Sequence, residues 1–165
     1  MKRMFGIEMQ QAPGKLPGFY AQVIHKIGDH VNVYDRDEQL LIVENEQERD
    51  KLIEILEKAS MLGEEFPLWL LPANAEMADL DAVGFESQDG HLYVYADRVA
   101  AFTLDPAIGA ERDRWAALEQ MKESILGRIP AAAASDTWYL IDSEQDQLML
   151  GIAKAYGVQL HFFAE

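Results

Sequence analysis

The sequence predicts an α+β fold of mixed α/β composition, and three observations support that class. Segments rich in β-branched and aromatic residues alternate with segments whose apolar residues recur every three or four positions. Single glycines and prolines separate these segments, as expected where strands and helices end. Hydrophobic residues make up 49% of the 165 residues, which is enough to form a core. We therefore expect a folded protein in which strands and helices are interspersed along the chain.

The first half is predicted to begin with strands. Residues 19–27 are rich in β-branched and aromatic residues and predict a strand. Alternating residues at 30–34 and an apolar run at 40–43 flank a polar turn at 35–38, and this pattern predicts a β-hairpin. A further short buried strand is predicted at 68–71.

A helix is predicted between the hairpin and that last strand. Asn45 and Glu48 have the spacing of a capping box, in which a side chain accepts a hydrogen bond from a backbone amide at the helix start. Apolar residues with a 3.6-residue period extend this helix over 46–62, and Gly63 follows where a helix commonly ends. A weaker helical turn is predicted at 75–80.

The second half is predicted to contain two strands followed by a helix. Residues 92–95 and 99–104 have the composition of strands. Asp105 and Pro106 are residue types typical of a helix N-terminus, and the helix is expected to end near Gly127. Its apolar face is predicted to comprise Trp115, Leu118, Met121, Ile125 and Leu126.

The C-terminal region is predicted to form a βαβ unit after a small-residue linker at 131–135. Its elements are a strand at 138–141, a helix at 148–156 and a strand at 158–163. Gly157 separates the helix from the last strand. Because both strands are apolar, we expect them to be parallel and covered.

The two halves resemble each other when residues are compared at an offset of 61 positions. Residues 91–95 then align with residues 30–34, and each half consists of strand, strand, helix, strand and helix. Two interpretations stay open, an internal duplication and a coincidental match between segments rich in valine and aromatic residues. The corresponding domains are 1–82 and 83–165, and the alternative is a single domain over 1–165.

The charge composition limits the classes of partner. The chain has 29 acidic and 14 basic residues, which leaves a net charge of −15. This charge argues against nucleic acid and anionic membranes as direct ligands. The absence of cysteine excludes disulfides and thiolate metal sites. The N-terminal residues lack the apolar stretch of a signal peptide and no apolar run is long enough to span a membrane, so we expect a cytoplasmic protein.

No motif in the sequence indicates a reaction. The four histidines lack the spacing of metal ligands, and His25 and His161 are predicted to lie inside apolar strands. His30 and His91 are predicted to open strands beside turns, and a site built from this repeated pair is the alternative to structural roles. Phosphate-binding glycine loops and serine nucleophile motifs are absent. We therefore expect no metal, no cofactor and no enzymatic activity.

The acidic residues are concentrated at 35–65, where eleven acidic residues accompany four basic ones. Such a cluster indicates either a solvated helix face or a surface that captures a positively charged protein. In the second case, aromatic residues would provide the anchors. The candidate anchors are Trp69, Trp115, Trp138, Tyr34 and Tyr95. The predicted partner-binding residues are Asp35, Asp37, Glu38, Glu44, Glu46, Glu48, Asp50, Glu54 and Glu57.

These properties favour a protein-binding module that neutralises a basic partner. We expect an immunity protein or inhibitor that occludes a bacterial toxin or nuclease, and this expectation rests on analogy of properties. One alternative is a DNA-mimic inhibitor, which would need carboxylates spaced like phosphates. Another alternative is an enzyme whose site assembles only in three dimensions.

Overall fold

The computed structural model describes residues 1–164 of the chain. Within them it contains four α-helices and two antiparallel sheets, with 35% helix and 32% strand, which confirms the predicted α+β class. These residues divide into two compact units. The first unit comprises Met1–Leu70 and Glu86–Tyr93, and the second comprises Leu71–Phe85 and the residues from Val94 onward.

Each unit contains two of the helices. They are α1 (Pro17–His30), α2 (Glu46–Lys58), α3 (Glu111–Met121) and α4 (Asp146–Tyr156). Pro17 begins α1, because its fixed backbone torsion suits the first helical turn. The side chain of Asn45 caps α2 by accepting a hydrogen bond from the backbone amide of Glu48 at 2.9 Å, as predicted. Gly157 ends α4 in the left-handed conformation, with a φ of 68°.

Eleven strands form the two sheets of the described residues. They are β1 (Lys2–Met9), β2 (Asp35–Asp37), β3 (Leu40–Val43), β4 (Leu62–Leu70), β5 (Glu76–Met77), β6 (Gly84–Glu86), β7 (Leu92–Tyr95), β8 (Val99–Leu104), β9 (Ile125–Ile129), β10 (Trp138–Asp142) and β11 (Leu160–Phe162). The first sheet has the order β2-β3-β1-β4-β7-β6. The second sheet has the order β11-β8-β10-β9-β5.

The two units share one arrangement of elements. Along the chain, the first unit has β1, α1, β2, β3, α2 and β4, and the second has β8, α3, β9, β10, α4 and β11. In both sheets, the first strand of this series lies between the third and the fourth, and the second lies beside the third. This is the split βαβ arrangement, in which each helix connects two strands that have another strand between them.

Each unit also has its own apolar cluster, formed by helix residues that pack on the sheet. Burial of each such side chain contributes about 1.5–3 kcal/mol relative to leaving it exposed. The first cluster includes Ile7, Val43, Leu52, Leu56 and Met61. The second cluster includes Phe102, Met121, Ile141, Met149 and Ile152.

The predicted strand at 19–27 is wrong, because these residues form most of α1. The segment is rich in β-branched residues, but its buried members, Val23 and Ile27, are four positions apart and therefore share one helical face. The predicted hairpin is present, although its first strand is β2, within the segment expected to be the turn. The central strand β1 has no counterpart among the predicted elements.

The helix predicted after Pro106 is shorter than expected. It covers only α3, and the predicted face residues Ile125 and Leu126 lie in β9 instead. Trp115 lies in α3 with 65% of its surface exposed, so it does not belong to the core. The helical turn expected at 75–80 is also wrong, because β5 pairs with β9 at this position.

Several predictions for the second half are confirmed. The strands β7 and β8 have the predicted boundaries, and α4 ends at the predicted glycine. The C-terminal βαβ prediction needs one correction, because β10 and β11 do not pair with each other. Both are antiparallel neighbours of β8, so they run parallel with β8 between them.

The 61-residue register does not match the topology, and the internal duplication is not confirmed. That register aligns His30, which ends α1, with His91, which precedes β7. It also aligns α3, the first helix of its unit, with α2, the second helix of the other unit. The shared arrangement of the two units therefore corresponds to a different register.

Candidate functional site

The most buried charged group of the first unit is the carboxylate of Asp35, the first residue of β2. The residue is 4% exposed and its side chain has no exposed surface. The Tyr93 hydroxyl donates to Asp35 Oδ2 at 2.7 Å, and the backbone amide of Arg36 donates to Oδ1 at 2.7 Å. His91 Nδ1 lies 2.8 Å from Oδ2, and the Ser87 hydroxyl also hydrogen-bonds this carboxylate.

The hairpin between β6 and β7 supplies three of these groups. Ser87 lies in its turn and is buried, and its Oγ also accepts a hydrogen bond from the backbone amide of His91 at 3.2 Å. The His91 ring is 5.2 Å from the Tyr34 ring, at a tilt of 31°. The histidine side chain is 37% exposed, so one side of the ring faces solvent.

These contacts require the first sheet to curve. Asp35 lies on the first strand of the sheet order and Tyr93 on the fifth, four strand spacings away. In a flat sheet those spacings would add to about 19 Å, which is more than the two side chains could bridge. The sheet therefore curls so that the start of β2 reaches the β6–β7 hairpin, and the Asp35 carboxylate joins the two regions.

The hydrogen bonds determine the charge state of the cluster. Burial raises the pKa of Asp35, but the hydrogen bonds from Ser87, Tyr93, His91 and the Arg36 amide outweigh burial and hold that pKa below its ordinary value. Burial and the hydrogen bond to Asp35 raise the pKa of Tyr93. Asp35 is thus ionised and can only accept, so His91 must donate from Nδ1.

This geometry leaves Nε2 of His91 as the ring nitrogen that does not face Asp35. A histidine oriented by a buried carboxylate is the arrangement that general bases use. The same contacts also hold the β6–β7 hairpin against β2, which is a structural role. Neither role follows from the surface-binding prediction for Asp35, and its burial removes this residue from the exposed acidic surface.

Four of the other predicted acidic residues lie along one side of α2. Glu46, Asp50, Glu54 and Glu57 are all exposed. At 100° per residue they fall within a sector of about 80°, on the side opposite the buried residues of the helix. We call these four residues the acidic stripe. It extends for about 16 Å along the helix.

Cations on the same helix partly neutralise the acidic stripe. Lys58 Nζ lies 2.8 Å from Glu54, and the ion pair lowers the pKa of that glutamate. Arg49 lies 3.1 Å from Asp50. Across residues 1–164, no ion pair involves Glu46 or Glu57. These two carboxylates therefore contribute most of the unneutralised charge of the stripe.

The remaining predicted acidic residues are close to the acidic stripe in sequence but do not belong to it. Glu44 is paired with Lys2 at 2.7 Å. Glu48 binds Lys51 at 2.8 Å and accepts a hydrogen bond from the backbone amide of Asn32, contacts that lower its pKa. Asp37 and Glu38 lie at the β2–β3 turn, where burial and the charges of Glu38 and Asp35 raise the pKa of Asp37.

The other three histidines do not form a common site, and of these only His161 lies in a strand, as predicted. His25 and His30 lie exposed on α1, and His25 is 3.3 Å from Asp29 on the same helix. His161 lies on β11, with Nε2 2.9 Å from Asp105 in the second unit. Among the candidate anchors, Trp115 and Tyr34 are exposed, whereas Trp69, Trp138 and Tyr95 are half-buried.

Comparisons with known proteins provide no relative. No family model matches the chain, and no curated protein or solved structure matches it either. Over the described residues, no group of three acidic or histidine side chains is arranged to hold a metal ion. No helix within residues 1–164 has the length and apolar character needed to cross a membrane.

Proposed function

We propose that this chain is a protein-binding module that covers a basic surface of another protein. The observation that carries the proposal is the acidic stripe on α2. Its four carboxylates are exposed, share one side of a regular helix and lie on an element anchored by buried Leu52 and Leu56. A rigid helix with carboxylates on one side can meet a cationic surface without first being ordered.

The distribution of charge supports the proposal. The first unit has 15 acidic and eight basic residues, and the second has 14 and six. Both units are therefore negative, so the field of the whole molecule attracts cations and repels nucleic acid. Ion pairs within α2 reduce the local charge, which means that steering depends on Glu46 and Glu57 more than on Asp50 and Glu54.

The proposal also specifies the class of protein that the chain would bind. A basic toxin or nuclease whose active surface is occluded would suit an acidic, cysteine-free module, and the chain would then act as its immunity protein or inhibitor. A cytoplasmic location belongs to this proposal, because such a toxin must be neutralised where it acts. Direct binding of nucleic acid or membrane is not expected.

The experiment compares two quadruple charge reversals. The first changes Glu46, Asp50, Glu54 and Glu57 to Lys, and it leaves Glu48 intact because that residue bonds the Asn32 amide. The control changes the exposed acidic residues Glu111, Glu119, Glu123 and Asp136 of the second unit to Lys. Both variants change the net charge equally.

The immobilised full-length chain is used to capture basic proteins from the source cell, followed by titration of the captured protein at several salt concentrations. We expect the stripe variant to lose capture and the control variant to retain it. Affinity of the native chain should fall as salt rises, because rim charges steer the encounter. Equal loss in both variants would show that only net charge matters, and it would contradict a defined surface on α2.

A further inference from the structure

The first unit contains a cavity of about 560 Å³ that plays no part in the proposed protein surface. It lies where the end of β1 and the loop after it meet the first turn of α1 and the β2–β3 turn. Met9 and Met61 lie beneath it and are only 2% and 0% exposed, so its accessible apolar surface belongs to other lining residues, such as Leu16, Phe19 and Tyr20. Phe19 and Leu16 form a wall, and Leu16 is 79% exposed at the mouth. Its volume is in the range of small-molecule sites.

The polar groups of the cavity are few and lie at its edge. The Tyr20 hydroxyl donates to Gln39 Oε1 at 3.1 Å, so these two side chains satisfy each other. Lys15 is the only lining residue with a charged side chain. Its Nζ lies 5.0 Å from the centre of the Phe19 ring, and no carboxylate within residues 1–164 forms an ion pair with it. A cation beside accessible apolar side chains suits an anion that carries an apolar group.

The equivalent corner of the second unit provides a comparison for this site. It is formed by the end of β8, the start of α3 and the segment before β10, and its cavity is only about 230 Å³. The rings of Trp115 and Tyr139 line it. The cation at this corner, Arg114, donates to the carbonyl oxygens of Ile108 and Gly109 at 3.2 and 2.6 Å. Its donors are therefore partly occupied by backbone, whereas no backbone carbonyl of the described residues accepts a hydrogen bond from Lys15 Nζ.

We propose that the cavity of the first unit binds a small amphipathic anion, an apolar group with a single carboxylate or sulfonate. The apolar part packs against Leu16, Phe19 and Tyr20, whose apolar atoms it removes from water. The anionic group pairs with Lys15 at the mouth. This site is independent of the acidic stripe, because none of the stripe residues lines the cavity.

Fluorescence titration of the full-length protein with 8-anilinonaphthalene-1-sulfonate tests the proposal, with decanoate as competitor. We expect saturable binding of one molecule per chain, displaced by decanoate. Lys15→Met keeps the apolar surface and should weaken binding about fivefold, because it removes one partly exposed ion pair. Leu16→Asp should weaken binding more than tenfold, since it removes an apolar wall and repels the anion. Leu16 is the exposed N-cap of α1, where aspartate is favoured, so this variant should fold.

Two controls locate the site. Lys154→Met removes an exposed cation of the second unit and should leave binding unchanged, as should Trp115→Ala at the equivalent corner. Decanoate should also raise the melting temperature of the native chain but not that of the Leu16→Asp variant. Unchanged binding in both first-unit variants, loss of binding on Trp115→Ala, or a native chain that binds neither probe would each overturn the proposal.

Discussion

The two units each contain an aspartate–histidine pair, and the pairs have nearly the same length. Asp35 and His91 are 2.8 Å apart in the first unit, and Asp105 and His161 are 2.9 Å apart in the second. Their surroundings differ. The Asp35 side chain has no exposed surface, whereas the Asp105 side chain is 25% exposed and water can solvate it.

This difference shows that the distance between two groups does not determine what a pair contributes to stability. Asp35 receives hydrogen bonds from side chains on a distant hairpin, so removing the carboxylate takes away an acceptor from the buried hydroxyls of Ser87 and Tyr93. Within residues 1–164, Asp105 bonds only His161 and the nearby backbone amide of Ala107, and solvent can replace either contact. We therefore expect the first pair to stabilise the fold and the second to contribute little.

The largest expected effect is the loss of the buried carboxylate. Asp35→Asn should lower the free energy of unfolding by about 3 kcal/mol, because either orientation of the amide turns its NH₂ group toward donors, which are Tyr93 and His91 at one oxygen position and the Arg36 amide at the other. Asp105→Asn is the matched control, since asparagine can still accept from the Ala107 amide. Urea denaturation of both variants measures the difference. Similar losses in the two variants would contradict the comparison.

The same carboxylate should make the stability of the protein depend on pH in the acidic range. The pKa of Asp35 is lower in the folded chain than in the unfolded chain, where it is about 3.9. The contribution of Asp35 to the free energy of unfolding is therefore complete above about pH 3.9, and it is lost as the pH falls through the pKa of the folded chain. Denaturation of the native chain and Asp35→Asn between pH 5 and pH 3 should show the two stabilities converging. A constant gap over this range would mean that the ionised form of Asp35 is not what stabilises the cluster.

A smaller effect is expected from the tyrosine that donates to Asp35. Tyr93→Phe keeps the buried ring and removes one hydrogen bond to a charged acceptor, which should cost about 2 kcal/mol. Tyr139→Phe serves as control, because the half-buried Tyr139 hydroxyl makes no hydrogen bond to another described residue. Thermal unfolding of both variants provides the measurement. An equal shift in melting temperature would indicate that the hydroxyl of Tyr93 is not a significant donor.

The elements that the sequence predicted correctly are those determined by local signals. The Asn45 cap, the glycine that ends α4 and the strand-like composition of β7 and β8 are all local signals. The helix α1 was mispredicted because its composition favours strand while the spacing of Val23 and Ile27 favours helix. Periodicity was the better signal there, and Pro17 supported it.

The Asp35 cluster could not be predicted from the sequence. Its members are separated by up to 58 residues and meet only because the first sheet curls. No spacing rule relates a residue on the first strand of a sheet order to residues on the fifth. The acidic residues of α2 were recognisable from composition and helical period, but the ion pairs that partly neutralise them depend on side-chain geometry.

Equivalent segments of the two units have similar residues, at an offset of 98 positions at the start of the second helix and 97 positions from its buried residues onward, not at the offset of 61 that composition suggested. Residues 44–48 and 142–146 are Glu-Asn-Glu-Gln-Glu and Asp-Ser-Glu-Gln-Asp, and both segments connect the third strand of a unit to its second helix. Buried residues follow at the same spacings of three, one and five positions. These residues are Leu52, Ile55, Leu56 and Met61 in the first unit, and Met149, Ile152, Ala153 and Val158 in the second.

The smallest expected effect concerns the connection between the third strand and the second helix of each unit. Asn45 caps α2 directly, whereas in the second unit Asp142 accepts from the amide of Glu144 in a 3₁₀ turn that precedes α4. Asn45→Ala should therefore cost about 1 kcal/mol, the usual value for an N-cap, and Asp142→Ala should cost less. Gln47→Ala, an exposed position in the first turn of α2, controls for helix propensity. Equal losses of stability at Asn45 and Asp142 would contradict this difference. The Asp142 cap of the 3₁₀ turn would then stabilise α4 as effectively as Asn45 stabilises α2.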